Sequence, residues 1–213
     1  MKTTNSFKNF GKGLFISLEG IEGSGKTTQI HKIRDHFLNQ EREVTIFREP
    51  GGTLFGEGVR EVILKSKENI TPLSEALLFA SSRAQLLQNE ILPRLNKNEV
   101  VILDRFVHSS IAYQGFGRDV TPETISSIHS FEPLNIIPNF TFYLKISMKT
   151  SLSRQEKRGN EKDYFEKENS NFYEKVTEGF QYCSRTFQES FHTIDAEKAE
   201  DKVFNSILNI LDK

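Results

Sequence analysis

The chain has 213 residues, with 28 Lys and Arg against 29 Asp and Glu, for a formal net charge of −1. A protein that holds a nucleic-acid polymer grips its phosphates and carries a matching basic excess, so charge balance speaks against that class. At 36% hydrophobic and 27% charged residues, the composition is too apolar for disorder and too polar for a membrane protein.

The expected organisation is a single domain over residues 1–213, because a chain of this length buries roughly 70% of its unfolded surface without staples. Residues 1–12 carry lysines and phenylalanines without a continuous apolar core, and read as an N-terminal extension and not a targeting segment. No run approaches the ~18 apolar residues of a membrane-spanning helix, so no membrane association is expected. The lone cysteine, Cys183, has no internal partner and reads as a small buried hydrophobe in a reducing, cytoplasmic setting.

In chain order, Leu14–Leu18 is a short apolar run that stops at the glycine-rich Gly20–Gly25, as a buried strand does. From Lys26 the spacing turns helical, with Ile30, Ile33, Phe37 and Leu38 on one face. A second strand, Val44–Phe47, ends at Arg48-Glu49-Pro50-Gly51-Gly52, where proline and two glycines close any regular element. Helices are expected over Phe55–Lys65, Leu73–Asn96 and Thr121–Phe131, with strands at Val100–Leu103, Phe140–Ile146 and Phe191–Ile194. Strands that alternate with helices imply parallel βαβ units and an α/β fold. Lys149–Glu168 is dense in charge and on composition alone reads as a solvated helix face and loop.

Gly20-Ile21-Glu22-Gly23-Ser24-Gly25-Lys26-Thr27 satisfies G-x-x-x-x-G-K-[ST] at every fixed position, between an expected strand and an expected helix. Glycines let the backbone curl so that successive N–H groups face a phosphate, and the helix N-terminus adds positive potential. Lys26 then reaches the β- and γ-phosphates of a nucleotide, and the Thr27 hydroxyl serves Mg²⁺, which prefers oxygen ligands. Asp104, straight after the third strand, is placed to order the metal's water shell at the edge where open sheets bind ligands. Asn96-Lys97-Asn98-Glu99 precedes a strand and ends in the wrong acid for a guanine-selecting element.

A phosphate loop does not name a reaction, but three further motifs do. Asp104-Arg105-Phe106-Val107-His108-Ser109-Ser110-Ile111-Ala112-Tyr113-Gln114-Gly115 resembles the D-R-[YF]-x-x-S-S-x-A-Y-Q-G signature of thymidylate kinases. Arg48–Thr53 matches that family's R-E-P-G-G-T loop and Leu78–Gln85 its L-F-A-x-x-R-x-x segment, all in family order. The resemblance implies a phosphate-loop, three-layer α/β/α fold with a five-stranded parallel sheet and a small helical lid at about residues 149–168. It implies transfer of the γ-phosphoryl of Mg·ATP to dTMP, on the way to dTTP, by a homodimer.

Carried over by motif, the ATP loop is Gly20, Ile21, Glu22, Gly23, Ser24, Gly25, Lys26, Thr27 and Thr28. Phe79 stacks on thymine and Arg83 bonds the base; four residues apart on a helix, they share a face. Arg60 and Arg105 hold the acceptor phosphate, a task suited to bidentate guanidinium contacts. Ser109, Ser110 and Gln114 lie near base and phosphate, and Tyr113 crowds a 2′-hydroxyl, which favours a deoxynucleotide. Arg48, Glu49 and Pro50 complete the acceptor side, with Glu49 near the sugar 3′-hydroxyl. Bacterial-type members carry their catalytic arginines in the lid, matching Arg154 and Arg158, and Glu166 is a further candidate toward the metal with Thr27 and Asp104.

Three positions depart from the family pattern. Tyr164 and Lys145 stand where an arginine and an acid are common, and Phe180 where tyrosine is frequent. The rival readings are a kinase of another nucleoside monophosphate, opposed by Phe79, Arg83 and Tyr113, and a nucleotide-dependent switch, for which no base-selecting element appears.

Overall fold

A computed structural model describes residues 8–9, 13–66, 68–158 and 168–212, with only the backbone at 8–9 and at Arg158. The N-terminal extension beyond those two residues, residues 159–167 of the charged segment, and with them Asp163, Tyr164 and Glu166, lie outside the described residues.

Strand β1 (Lys8–Asn9) is followed by β2 (Leu14–Glu19), helix α1 (Lys26–Leu38), β3 (Val44–Arg48), α2 (Leu54–Lys65) and α3 (Pro72–Leu86). A π-helical stretch, Leu87–Ile91, leads into α4 (Leu92–Asn96), then β4 (Val100–Asp104) and α5 (Val107–Ser110), which continues as a second π-helical stretch, Ile111–Gly117. The chain goes on through α6 (Pro122–Ile128), β5 (Ile136–Ile137), β6 (Phe140–Lys145), α7 (Met148–Arg158), α8 (Ser170–Thr186), β7 (Phe191–Asp195) and α9 (Glu200–Leu211).

Five strands form one parallel sheet in the order β3-β4-β2-β6-β7, and β1 pairs separately with β5. The inner strands β2 and β4 are buried on both faces, which is why they read as unbroken apolar runs. Helices α1 and α9 touch each other on one face; α4 and α8 pack on the other, α8 against the Ile111–Gly117 stretch. Right-handed crossovers produce that split, since the chain first steps outward from β2 to β3 and then returns across the sheet to β7. The fold is the expected three-layer α/β/α.

Sheet register sets the site. Leu18 and Arg48 both pair with Asp104, so the carboxyl ends of β2, β3 and β4 finish level. The ladder runs one residue further, with Glu49 N–H donating to Asp104 O at 3.1 Å and Arg105 N–H to Leu18 O at 3.0 Å. Glu19, Glu49 and Arg105 thereby start their loops side by side.

Three expectations are corrected. The single helix expected over Leu73–Asn96 has a π-helical middle; Pro93 just beyond it has no N–H to give to the α-helical ladder. Leu38 is 48% exposed while Ile30, Ile33 and Phe37 are buried, because it lies a further 100° around α1 from Phe37. The helix expected over Thr121–Phe131 ends at Ile128 and is capped by Thr121, whose Oγ1 accepts from Thr124 N–H at 3.3 Å.

Candidate active site

The loop between β2 and α1 has the backbone that its glycines foretell: φ is +142° at Gly20, +76° at Gly23 and +96° at Gly25. A Cβ on Gly20 would stand 2.8 Å from the Leu144 carbonyl oxygen, so side chains are barred there by space as well as by dihedral. Lys26 is buried, and its Nζ donates to Gly20 O at 3.2 Å and Ile21 O at 3.5 Å, within 4.0 Å of Asp104 Oδ1. Burial, then the neighbouring Arg105 cation, lowers its pKa, against the pull of Asp104 and Glu22. Asp104 Oδ1 is buried without a hydrogen-bond partner among the described residues, and Thr27 lines the same cavity. Among the described residues no group of three or more His, Cys, Asp or Glu gathers as a metal cage. One carboxylate and one hydroxyl suit Mg²⁺, which keeps most of its waters and shares phosphate oxygens.

Beside the phosphate loop opens a cavity of about 480 Å³, lined by Glu22, Lys26 and Thr27 at one end and by Phe79, Arg83, Ser110 and Gln114 among others. Phe79 stands between α2 and α3 on a small cluster with Val59 and Ile63 that holds its ring against the cavity. Arg105 also lines the cavity; it holds φ +73°, lies 5.0 Å above the Tyr113 ring, and donates to Ser109 Oγ at 3.3 Å. A non-glycine residue in the left-handed region is strained, and such strain gathers where a side chain must be aimed. Arg60 donates to Pro50 O at 3.2 Å and Arg48 to Glu57 Oε2 at 3.4 Å, both at the cavity wall.

Arg83 is only 1% exposed, and its guanidinium is mostly committed within the protein. Nε donates to Glu49 at 2.8 Å, Nη1 to Ser110 Oγ at 3.0 Å and to His129 Nε2 at 2.6 Å, and Nη2 to Glu49. Four of its five N–H groups are thereby used, which leaves one for a ligand. His129 Nδ1 faces Ile125 O at 2.8 Å; a carbonyl only accepts, so Nδ1 carries the proton and Nε2 offers its lone pair to Arg83. Burial and Arg83 hold that imidazole neutral, at a pKa of about 3. Burial pushes the Glu49 carboxyl up while Arg83 pulls it down.

The comparisons agree on one family. The family model for thymidylate kinase matches residues 18–207. The chain is 40% identical over 202 residues to the thymidylate kinase of Thermoanaerobacter sp. (strain X514), covering 95% of this chain and 98% of that one. It is 39% identical to that of Mycoplasmopsis pulmonis, covering 99% and 93% of the two chains. The crystal structure of thymidylate kinase from Ehrlichia chaffeensis superposes with a TM-score of 0.77 at 30% identity, over 95% of this chain and all of that one. The chain belongs to the thymidylate kinase family.

For a thymidylate kinase, the cavity gathers most of the residues that the motifs single out: Lys26, Thr27, Arg48, Glu49, Pro50, Arg60, Phe79, Arg83, Asp104, Arg105, Ser109, Ser110, Tyr113 and Gln114 all line it. Arg154 is placed elsewhere. It lies on the outer side of the phosphate loop, donating to Gly23 O at 3.0 Å and Ala196 O at 3.1 Å. The side chain of Arg158 and the whole of Glu166 lie outside the described residues. Of the departures from the family pattern, Lys145 is exposed at the end of β6 and Phe180 is fully buried, stacked 4.4 Å from Tyr143. Cys183 is free and buried as expected.

Three residues of this thymidylate kinase site carry no motif signal. Glu19 is fully buried, accepting from Phe106 N–H at 2.8 Å and Ser109 Oγ–H at 2.5 Å. Burial raises its pKa to about 7, against Ser109 and Arg105. His129 orients Arg83, and Glu75 meets Gln114 and Arg118. A buried acid directly after an apolar strand reads as the strand's end, and a histidine outside any motif reads as core; only the fold brings them to the site.

Proposed function

We propose that the cavity holds dTMP against Mg·ATP on the phosphate loop, and that the γ-phosphoryl passes in line to give dTDP and ADP. The observation that carries this reading is the single cavity shared by the Lys26 phosphate loop and the Phe79–Arg83 acceptor wall. Phosphoryl transfer asks mostly for positioning and charge neutralisation, so no covalent enzyme intermediate is needed.

The phosphate loop from Gly20 to Thr28 cradles ATP, and Lys26 exchanges its carbonyl partners for phosphate oxygens. Arg105, with Arg60 and Arg48, takes the acceptor phosphate. Phe79 stacks on the base while Arg83 gives its remaining N–H, and Tyr113 packs near the sugar's 2′ carbon. Thr27 and Asp104, with Glu166 a further candidate, would hold Mg²⁺, which would supply neutralisation of the donor's phosphate charge. Arg154 and Arg158 belong to a lid of about residues 149–168 in a one-domain kinase, with Arg154 leaving the outer side of the loop to face the transferred group. The buried thiol of Cys183 agrees with a reducing cytoplasm.

The chain also acts as a homodimer. Leu54, Phe55 and Val62 on α2 and Leu73 and Leu77 on α3 are 48% exposed or more, although α2 and α3 pack together. Phe55, Gly58 and Val62 follow helical spacing, and a Cβ on Gly58 would meet nothing within 4 Å, so this stripe is open to a second copy.

Lys26→Ala tests the mechanism. Steady-state ADP release with ATP and dTMP falls by about 10²-fold or more, as for loss of one charge-stabilising group, while the thermal unfolding transition persists. Near-normal turnover by that variant contradicts the reading.

A further inference from the structure

Gln114 is only 1% exposed, lines the cavity, and belongs to the Ile111–Gly117 stretch. Its Nε2 donates to Glu75 Oε1 at 2.8 Å. Glu75 lies on α3, one turn before Phe79, and is 0% exposed. Its other oxygen faces Arg118 Nε at 3.4 Å. Arg118 is held in turn by Glu168 Oε1 at 2.6 Å from Nη1, and by the face of Phe172 at 4.8 Å.

A side-chain amide has two unlike ends, and its neighbours decide which end faces which way. A carboxylate opposite the Arg118 cation only accepts, so the NH₂ end of Gln114 turns toward Glu75. The carbonyl end is the other branch of the same planar group. An amide fixed this way presents an acceptor, and an acceptor pairs with a ring N–H.

Thymine and uracil carry such an N–H at N3; cytosine carries a lone pair there. With four of the five Arg83 N–H groups used inside the protein, the Gln114 amide becomes a principal polar reader of the base edge. We propose that Glu75 is a positioning residue for base selection: braced by Arg118, it binds the Gln114 amide nitrogen and so commits the carbonyl to a ring N–H of the acceptor base. The inference rests on the dTMP reading above and adds to it how the base is sorted.

Two readouts test it in the intact chain: KM and kcat for dTMP, and the inhibition constant of dCMP against dTMP. Glu75→Gln keeps the shape but lets the two amides pair either way round. KM for dTMP then rises about tenfold with kcat within about twofold and KM for ATP unchanged, and dCMP inhibits more tightly, so the preference for dTMP narrows about tenfold or more. Gln114→Ala narrows the preference alone, and adding Glu75→Gln to it changes the preference little further, because the first residue acts through the second. A purely structural role would instead add its cost in both backgrounds. If Glu75→Gln does not fold, Arg118→Lys, which keeps the charge and loses the fork, shifts the same ratio in the same direction by about threefold. An unchanged ratio in the folded variant, or an undiminished Glu75→Gln effect in the Gln114→Ala background, overturns the proposal. Absence of dTMP turnover by the unaltered chain overturns the dTMP reading and this inference with it; normal turnover with an unchanged ratio overturns this inference alone.

Discussion

Glu19 shows what burial does to a single carboxyl. In the unfolded chain it titrates near 4.5, and in the fold near 7, because desolvation outweighs its bond to Ser109 and the field of Arg105. Between those values the native state holds a proton that the unfolded state has released, so this group costs stability as pH rises, by up to about 1.4 kcal/mol per unit. Glu19→Gln removes the titration. In urea denaturation, the stability of Glu19→Gln relative to the unaltered chain should climb from pH 4.5 to 7 and level off above. A difference that does not vary with pH would place the carboxyl's titration elsewhere. No sequence motif marks this residue, whereas motifs mark Arg105 and Ser109, to which Glu19 is tied. Nothing in a run that ends Leu-Glu-Gly separates a strand end from a buried acid; the level finish of β2 and β4 does.

The phosphate loop, as an element, was legible almost whole, because its demands on backbone and spacing leave few residue choices. The same demands predict how it fails. Gly25→Ala meets no atom within 4 Å but still carries φ +96°, so it costs the strain of one left-handed residue, about 1–2 kcal/mol. Gly20→Ala adds a clash with the Leu144 carbonyl and the Ser24 hydroxyl, both 2.8 Å away. Thermal melts should order the unaltered chain above Gly25→Ala and Gly25→Ala above Gly20→Ala, and the reverse order of the two variants would reject this geometry. The helices are less legible in the sequence. Periodicity finds the apolar face of Leu73–Asn96 but not its π-helical middle, since a one-residue change in hydrogen-bond register barely shifts which face is apolar. The β1–β5 pairing has no sequence signal either, because each strand is only two residues long.

At the scale of the whole molecule, the five strands and their parallel pairing followed from the alternation of apolar runs and helical spacing. The apolar stripe on α2 and α3 did not. Leu77 and Val62 sit in helices whose pattern shows a buried face, and only packing reveals that these two side chains are left outside it. If a second copy covers them, sedimentation velocity should give about twice the 24.5 kDa chain mass. Val62→Glu with Leu77→Glu, both at exposed positions, should return the monomer without unfolding it. A monomeric unaltered chain would contradict the dimer.

Charge follows the same logic of distribution over total. A net charge of −1 speaks against a broad phosphate-gripping surface, yet Lys26, Arg48, Arg60, Arg83 and Arg105 line one cavity beside only three acids, Glu22, Glu49 and Asp104. The central claim is that this cavity brings dTMP to ATP. A coupled ADP-release assay on the purified chain with Mg·ATP and dTMP, dUMP, UMP, CMP or AMP tests it most directly. Stimulation by dTMP should exceed that by every other acceptor, with the ribonucleotides lowest, and stimulation by another monophosphate with none by dTMP would contradict that claim.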